Sequence, residues 1–181
     1  MNFGKLFSLL MLLTFSLVGC EAVSSLHPVG NQPVKTPVDQ WQGAWLAEGG
    51  VLHTKVMNAE KGELLLIIVN TEKDISNLIE KHSVLVRKTG NNYYFNIVDK
   101  EHEGQYFFAK FIRDGNTIKA YTPSYKSIAD KIRAGQLKGT IDKSDSFAVL
   151  TGTRADINNY VESHPETFSN KDILLLEKII N

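Results

Sequence analysis

The side chains able to do chemistry are few, and their spacing suits little of it. Five histidines, His27, His53, His82, His102 and His164, are spread over 181 residues. No two stand at the i, i+2 or i, i+4 separations that seat one metal ion, and no HExxH occurs. His102, between Glu101 and Glu103, reads as part of a solvated hairpin loop. His53 falls on an expected strand with access to an interior, where the reading is a hydrogen-bonded structural histidine. No GxSxG and no phosphate loop is present. Ser144–Asp145–Ser146 lies in an expected turn without companion motifs, and the acidic residues cluster in turns rather than as the facing pair of a glycosidase. The expectation is a non-enzyme with no catalytic residue, no metal and no cofactor. A hydrolase with a site scattered over loops is the weakest alternative.

Two features remain. One is Cys20, the only thiol, which allows no internal disulfide. The other is a set of aromatic residues on expected strands: Trp45, Tyr93, Phe95, Tyr106, Phe108 and Tyr121, accompanied by Tyr94, Phe107 and Phe111. Such a set lines a ligand cavity with polar handles. Alternatively it forms a core on one strand face and packs beneath helices on the other.

Cys20 closes the sequence "MNFGKLFSLLMLLTFSLVGC". Lys5 and the amino terminus supply a positive start, and Leu6 to Val18 is almost wholly apolar. That run is shorter than the roughly 20 residues of a spanning helix and has the length of a signal-peptide core. Leu17, Val18, Gly19 and Cys20 resemble the lipobox of bacterial lipoproteins. The resemblance implies that residues 1–19 are a leader and that Cys20 receives a diacylglyceryl thioether. Cleavage follows just before it, and the new amine is acylated, typically with palmitate. Glu21 rather than Asp at the next position implies the outer membrane, with the domain in the periplasm. An ordinary secretory signal cut after Ala22 is the alternative.

Residues 20–40 contain Pro28, Pro33 and Pro37 among small polar residues and show no apolar period. They are expected to form a lipidated N-terminus and Pro-rich tether. Residues 41–181 then make one β-rich domain. "NYYFNIVD" sets Tyr93, Phe95 and Ile97 against Tyr94, Asn96 and Val98. "QYFFAKFIRD" sets Tyr106, Phe108 and Ile112 against Phe107, Ala109 and Phe111. "SVLVRK" sets Val84 and Val86 against Leu85 and Arg87. Turn signals at Gly49-Gly50, Glu60–Gly62, Gly90–Asn92, Asp114–Asn116 and Asp142–Asp145 space an antiparallel meander of about eight strands. Closure into a small barrel removes its edges.

Two or three short helices are expected beside it: Ile75–Lys81; a segment starting near Pro123 with Tyr125, Ile128, Ala129 and Ile132 on one stripe; and a segment capped by Thr153 and Asp156. "DILLLEKII" is read as a strand pairing with the first. Gly43 and Trp45 resemble the Gly-x-Trp of lipocalins, whose tryptophan seals the closed barrel end, so the expected shape is lipocalin-like.

Formal net charge is zero, which gives no electrostatic reason to expect nucleic acid. The reading is an envelope lipoprotein held to the bilayer through acyl chains on Cys20. It would bind a small apolar or amphipathic ligand or serve envelope maintenance. The alternative is a protein-binding module, such as a periplasmic hydrolase inhibitor or an assembly accessory.

Overall fold

The chain joins its sheet at Ala22, well before the expected domain start at Trp41. The structure, a computed structural model, describes residues 21–47, 50–69 and 79–179. Strands β1 (Ala22–Ser25) and β2 (Gln32–Pro33) precede the short helix α1 (Val38–Trp41). Seven strands follow: β3 (Gly43–Ala47), β4 (Gly50–Asn58), β5 (Glu63–Val69), β6 (Ile79–Thr89), β7 (Asn92–Val98), β8 (Tyr106–Asp114) and β9 (Thr117–Pro123). Helix α2 (Tyr125–Arg133), strands β10 (Gly139–Ile141) and β11 (Phe147–Leu150), helix α3 (Arg154–Ser163) and strand β12 (Phe168–Lys178) complete the chain.

Eight strands close an antiparallel barrel in the order β3-β4-β5-β6-β7-β8-β9-β12, with β12 returning to β3 through Leu176↔Ala47 and Lys178↔Trp45. The expected meander and the strand reading of the last segment both hold. Two-residue loops at Gly90-Asn91 and Gly115-Asn116 connect β6 to β7 and β8 to β9, the shortest connection whose twist matches paired strands.

The sheet divides at β8. Residues Lys110–Asp114 pair with β9, whereas Tyr106 and Phe107 pair with Ser25 and Ser24 of β1. From there β1 runs parallel to β11, which carries β10 on its far side. Side chains alternate across a strand, so the β7–β8 region faces two cores. The barrel interior holds Trp45, Leu64, Val84, Val86, Phe111 and Ile118. The opposite face packs Val23, Tyr94, Phe108 and Leu150 against α2 (Ile128, Ala129) and α3 (Ile157, Val161).

Helix α3 begins at its expected cap, whereas α2 begins one residue after Ser124, and Pro123, expected in its first turn, ends β9. Ser124 Oγ accepts from Ser127 N, and Thr153 and Asp156 form a reciprocal capping box. The turn before β11 is tied by Asp142, whose carboxylate accepts from the Ser144 hydroxyl and from the amides of Ser146 and Phe147. Those bonds, the Ser144 bond first, hold its pKa down to about 2.

Two expectations need correction. The stretch taken as a tether is built into the domain. Ala22 to Ser25 are all buried, as are Val29 and Thr36. Its prolines break helix but do not prevent an extended strap, and its polar residues find fixed partners. Asn96 Oδ1 accepts from Val29 N at 2.6 Å, and Asn96 Nδ2 donates to Val29 O at 2.9 Å. Asn158 Oδ1 accepts from Gly30 N at 2.7 Å, and Arg87 Nε donates to Gly30 O at 2.8 Å. The strap lies so close to the barrel that a Cβ on Gly30 (φ +106°) would stand 2.6 Å from Arg87 Cβ. At Gly62 (φ +66°) a Cβ would stand 2.6 Å from Val34 O. Only glycine combines that contact with that backbone. The second correction concerns the expected helix Ile75–Lys81. Ile79, Glu80 and Lys81 belong to strand β6, and the rest of that stretch lies outside the described residues, as does Gly49 of one expected turn.

Asn96 is the strap's main fastening. Asn96→Ala leaves two buried backbone groups of Val29 unpaired, at about 1–3 kcal/mol each. A loss of about 2–4 kcal/mol is expected in urea unfolding, against about 0.5 kcal/mol or less for Asn91→Ala in the exposed turn.

Candidate functional site: an apolar cavity in the barrel

Each barrel strand sends alternate residues inward, and most of these are aliphatic. One end of the barrel is closed by the strap and α1. Val34 N donates to Val86 O and Thr36 N to Ala59 O, carrying the chain across that end. Helix α1 then delivers Trp41 into the opening. Its indole meets Phe95 and Phe111 edge-on at 6.1 and 5.9 Å, and those two rings stack at 4.1 Å. Trp45 lies alongside, 2% exposed. Its Nε1 donates to Thr54 Oγ1 at 3.0 Å and to Trp41 O at 3.3 Å, and Thr54 Oγ1 in turn donates to Trp41 O. The polar edge of the indole is thereby satisfied and its apolar faces remain for packing. Cations reinforce the plug: the Arg113 guanidinium sits 4.7 Å over the Trp41 ring and Lys178 Nζ 5.9 Å from the Trp45 ring. Trp41 and Trp45 both lie at this closed end.

Above this floor is a cavity of about 90 Å³ bounded by Leu52, Leu66, Val84, Phe95, Ile97, Ala109, Ala120 and Leu174, among others. Its wall presents no polar atom, even where Thr54 and Thr122 contribute. The volume is well under the roughly 300–1,000 Å³ of sites that enclose drug-sized ligands.

Beyond the cavity, the inner face of the barrel changes character toward the opposite end. On β6 the inward row runs Val86, Val84, His82, Glu80, because Val84 faces Leu64, His82 faces Leu66 and Glu80 faces Ile68 across the β5 pairing. The His82 and Glu80 side chains are 13% and 19% exposed, with Nε2 and Oε2 3.5 Å apart. The His82 pKa is lowered, first by burial and further by the charge of Lys100, while the Glu80 hydrogen bond and charge act against that shift.

The candidate aromatic residues separate into groups. Trp45 and Phe95 line the cavity. Tyr93 is half-exposed beside Phe111 near the plugged end. Phe108 lies in the second core, with Tyr121 packed on it, outside the barrel. Tyr106 pairs with β1 at Ser25. A face shared on one strand is thus not one site, because the β8 residues opposite Ala109 and Phe111 meet helices. Tyr94 is wholly buried in that second core. Its Oη has no hydrogen-bond partner among the described residues, and burial raises its pKa. His53 points outward and is exposed, since its neighbours Leu52 and Thr54 take the inward positions. His102 Nδ1 lies 2.9 Å from Asp99 Oδ2 in the β7–β8 loop, and Asp99 Oδ1 also accepts from the amide of Glu101. Sequence reasoning missed His82 and Glu80, although extending the Val84/Val86 alternation four residues backward reaches both.

No group of three or more histidine, cysteine or acidic side chains able to hold a metal ion occurs among the described residues. Among those residues, no helix is long and apolar enough to cross a membrane. No protein-family model, curated protein sequence or solved structure matches the chain.

His82 gives the fold a pH signature. With its folded pKa below the unfolded 6.5, the unfolded chain binds more protons in the window beneath that value, so stability falls as pH drops through it. The urea midpoint of the wild type is expected to decline between pH 7 and 5 more steeply than that of His82→Gln. Parallel profiles would show that His82 is not the group responsible.

Proposed function

We propose that this protein is a non-enzymatic lipoprotein of the bacterial envelope, anchored through acyl chains on Cys20, whose barrel binds a slender apolar or amphipathic ligand. The cavity carries the ligand half of this reading. A wholly apolar cavity of about 90 Å³ stays dry, and leaving it empty costs on the order of 2 kcal/mol at about 24 cal/mol per Å³. An apolar cavity of about 150 Å³ holds the six carbons of benzene, so this one takes about three or four carbons. The test is thermal unfolding of the full chain with butan-1-ol. Free ligand at 100 times Kd is expected to stabilise by about 2.7 kcal/mol. No stabilisation at any soluble concentration would mean that the cavity is only a packing void.

The anchor half is supported by the lipobox resemblance and by where folding begins. Ala22 is buried, and its amide donates to Ser146 O at 2.8 Å. A signal cut after Ala22 would remove the first residue of β1, whereas a cut before Cys20 leaves that strand whole. Glu21 alone would then separate the acylated residue from the sheet, which holds the domain close to the bilayer rather than on a long leash. Cys20→Ser is expected to move the protein from the membrane fraction to the soluble fraction or to leave an unprocessed precursor. Unchanged fractionation and mature mass would remove the anchor from this reading.

One observation favours the alternative of a protein-binding module. Leu46, Ile173 and Leu175 are 41–50% exposed on the outer wall formed by β3 and β12, where a partner could cover them.

A further inference from the structure

One cation on the outer face of the barrel has a neighbour of the same sign. Arg87 of β6 is half-buried against the strap, where its Nε donates to Gly30 O at 2.8 Å and its Nη2 to Asn31 O at 3.0 Å. These bonds fix the guanidinium but bring it no negative charge. Helix α3 reaches the same two strap residues. Asn158 Oδ1 accepts from Gly30 N and Asn158 Nδ2 donates to Asn31 Oδ1, each at 2.7 Å. Arg154 precedes Asn158 by one helical turn and so shares its face of α3. Burial first, and then the charge of Arg154, lower the Arg87 pKa, while the Tyr106 phenol acts against that shift. No carboxylate joins them there. The acidic residues of α3 are engaged elsewhere: Asp156 caps the helix with Thr153 and lies 3.8 Å from Lys138, and Glu162 Oε2 accepts from Thr89. Arg154 has no ion-pair partner among the described residues. Two cations that act on each other, one of them partly removed from water, repel more strongly than in bulk solvent. An anion between them turns that repulsion into two attractions.

We infer that Arg87 and Arg154, where the strap meets α3, form a binding site for a phosphate-type oxyanion, either free phosphate or the phosphate of a lipid head group. A guanidinium carries more N–H donors than the two that Arg87 spends on the strap. Those remaining, in a planar fork, match the paired oxygens of a phosphate. Arg154 supplies a second fork from the first turn of α3, where the helix itself favours negative charge. The strap carbonyls hold Arg87 in place before the anion arrives, so binding costs it little side-chain freedom. None of these residues lines the barrel cavity, and the site is independent of whether that cavity is filled.

The full chain, in buffer free of phosphate and sulfate, is titrated calorimetrically with inorganic phosphate at fixed ionic strength. Saturable binding is expected. Arg154→Gln is expected to weaken it about fivefold or more, and Lys126→Gln, at an exposed position of α2, by about twofold or less. Arg154 makes no hydrogen bond to the strap among the described residues, so its variant removes charge without loosening the fold. No saturable binding, an unchanged affinity in Arg154→Gln, or equal losses in both variants would overturn the site. Dihexanoyl phosphatidic acid, below its micellar concentration, separates the two sources of the anion. Binding tighter than that of inorganic phosphate, and again lost in Arg154→Gln, identifies a lipid head group. Binding no tighter than that of inorganic phosphate identifies the free anion.

The facing of the two charges is checked without any anion. Arg154→Glu replaces a repulsion by an attraction and is expected to raise the urea midpoint when Arg87 is present. In an Arg87→Gln background that gain is expected to shrink, leaving only the preference of a helix start for an acidic residue. Equal gains in both backgrounds would show that Arg154 does not act on Arg87 and would overturn the inference.

Discussion

Strand β8 has more neighbours than one strand can pair with along its whole length, and the architecture follows from how it shares them. One edge is taken by β7. On the other, the second half pairs with β9 and the first half with β1. A strand has a single row of donors and acceptors per edge, so the sheet must split where the partner changes. Beyond the split, β1, β11 and β10 diverge from the barrel. Their outer face needs a cover, and α2 and α3 supply it. The barrel and the helical layer thus share the β7–β8 wall, which is why its residues are apolar on both sides.

The same wall anchors the N-terminal strap, which in turn closes the barrel. Asn96 belongs to β7, points away from the bore and binds the backbone of Val29 on both its donor and its acceptor. Asn158 of α3 holds the next residue, Gly30. These contacts start the strap on a fixed course, and it ends by inserting Trp41 into the bore. A buried amide that satisfies a peptide group at both ends gives directional placement that apolar packing alone lacks. The chemistry of the closed end is therefore set by contacts made outside the barrel. Toward the other end the inward row of β6 carries His82 and Glu80.

Much of the barrel was legible in the sequence. Alternation in "NYYFNIVD" and "QYFFAKFIRD", together with glycine and asparagine at regular turns, specifies strands and their connections through local sterics. Thr153 and Asp156 announced a helix start because a cap is a contact within three residues. The site was only partly legible. Trp45 and Phe95 line the cavity, whereas Phe108 and Tyr121, grouped with them from the sequence, face the second core. Alternation states that two faces exist and not what covers each. The strap was misread for a related reason: proline, glycine and asparagine mark both a free linker and a segment fixed by partners more than fifty residues away. His82 and Glu80 were missed because polar residues at the start of an apolar strand resemble the end of a preceding helix.

The sequence by itself determined the β-rich character, the spacing of most hairpins, the cap of α3 and an apolar N-terminal run ending in the sole thiol. All of these rest on short-range periodicity and local backbone preference. Only the tertiary structure decided that β12 closes on β3, that β1 inserts between β8 and β11, that Trp41 joins Trp45 at one end, and that a histidine–glutamate pair stands at the other. Those outcomes depend on pairings between residues distant in the chain. Their selection comes from the joint burial of many side chains and the satisfaction of buried polar groups, which no short window of sequence contains.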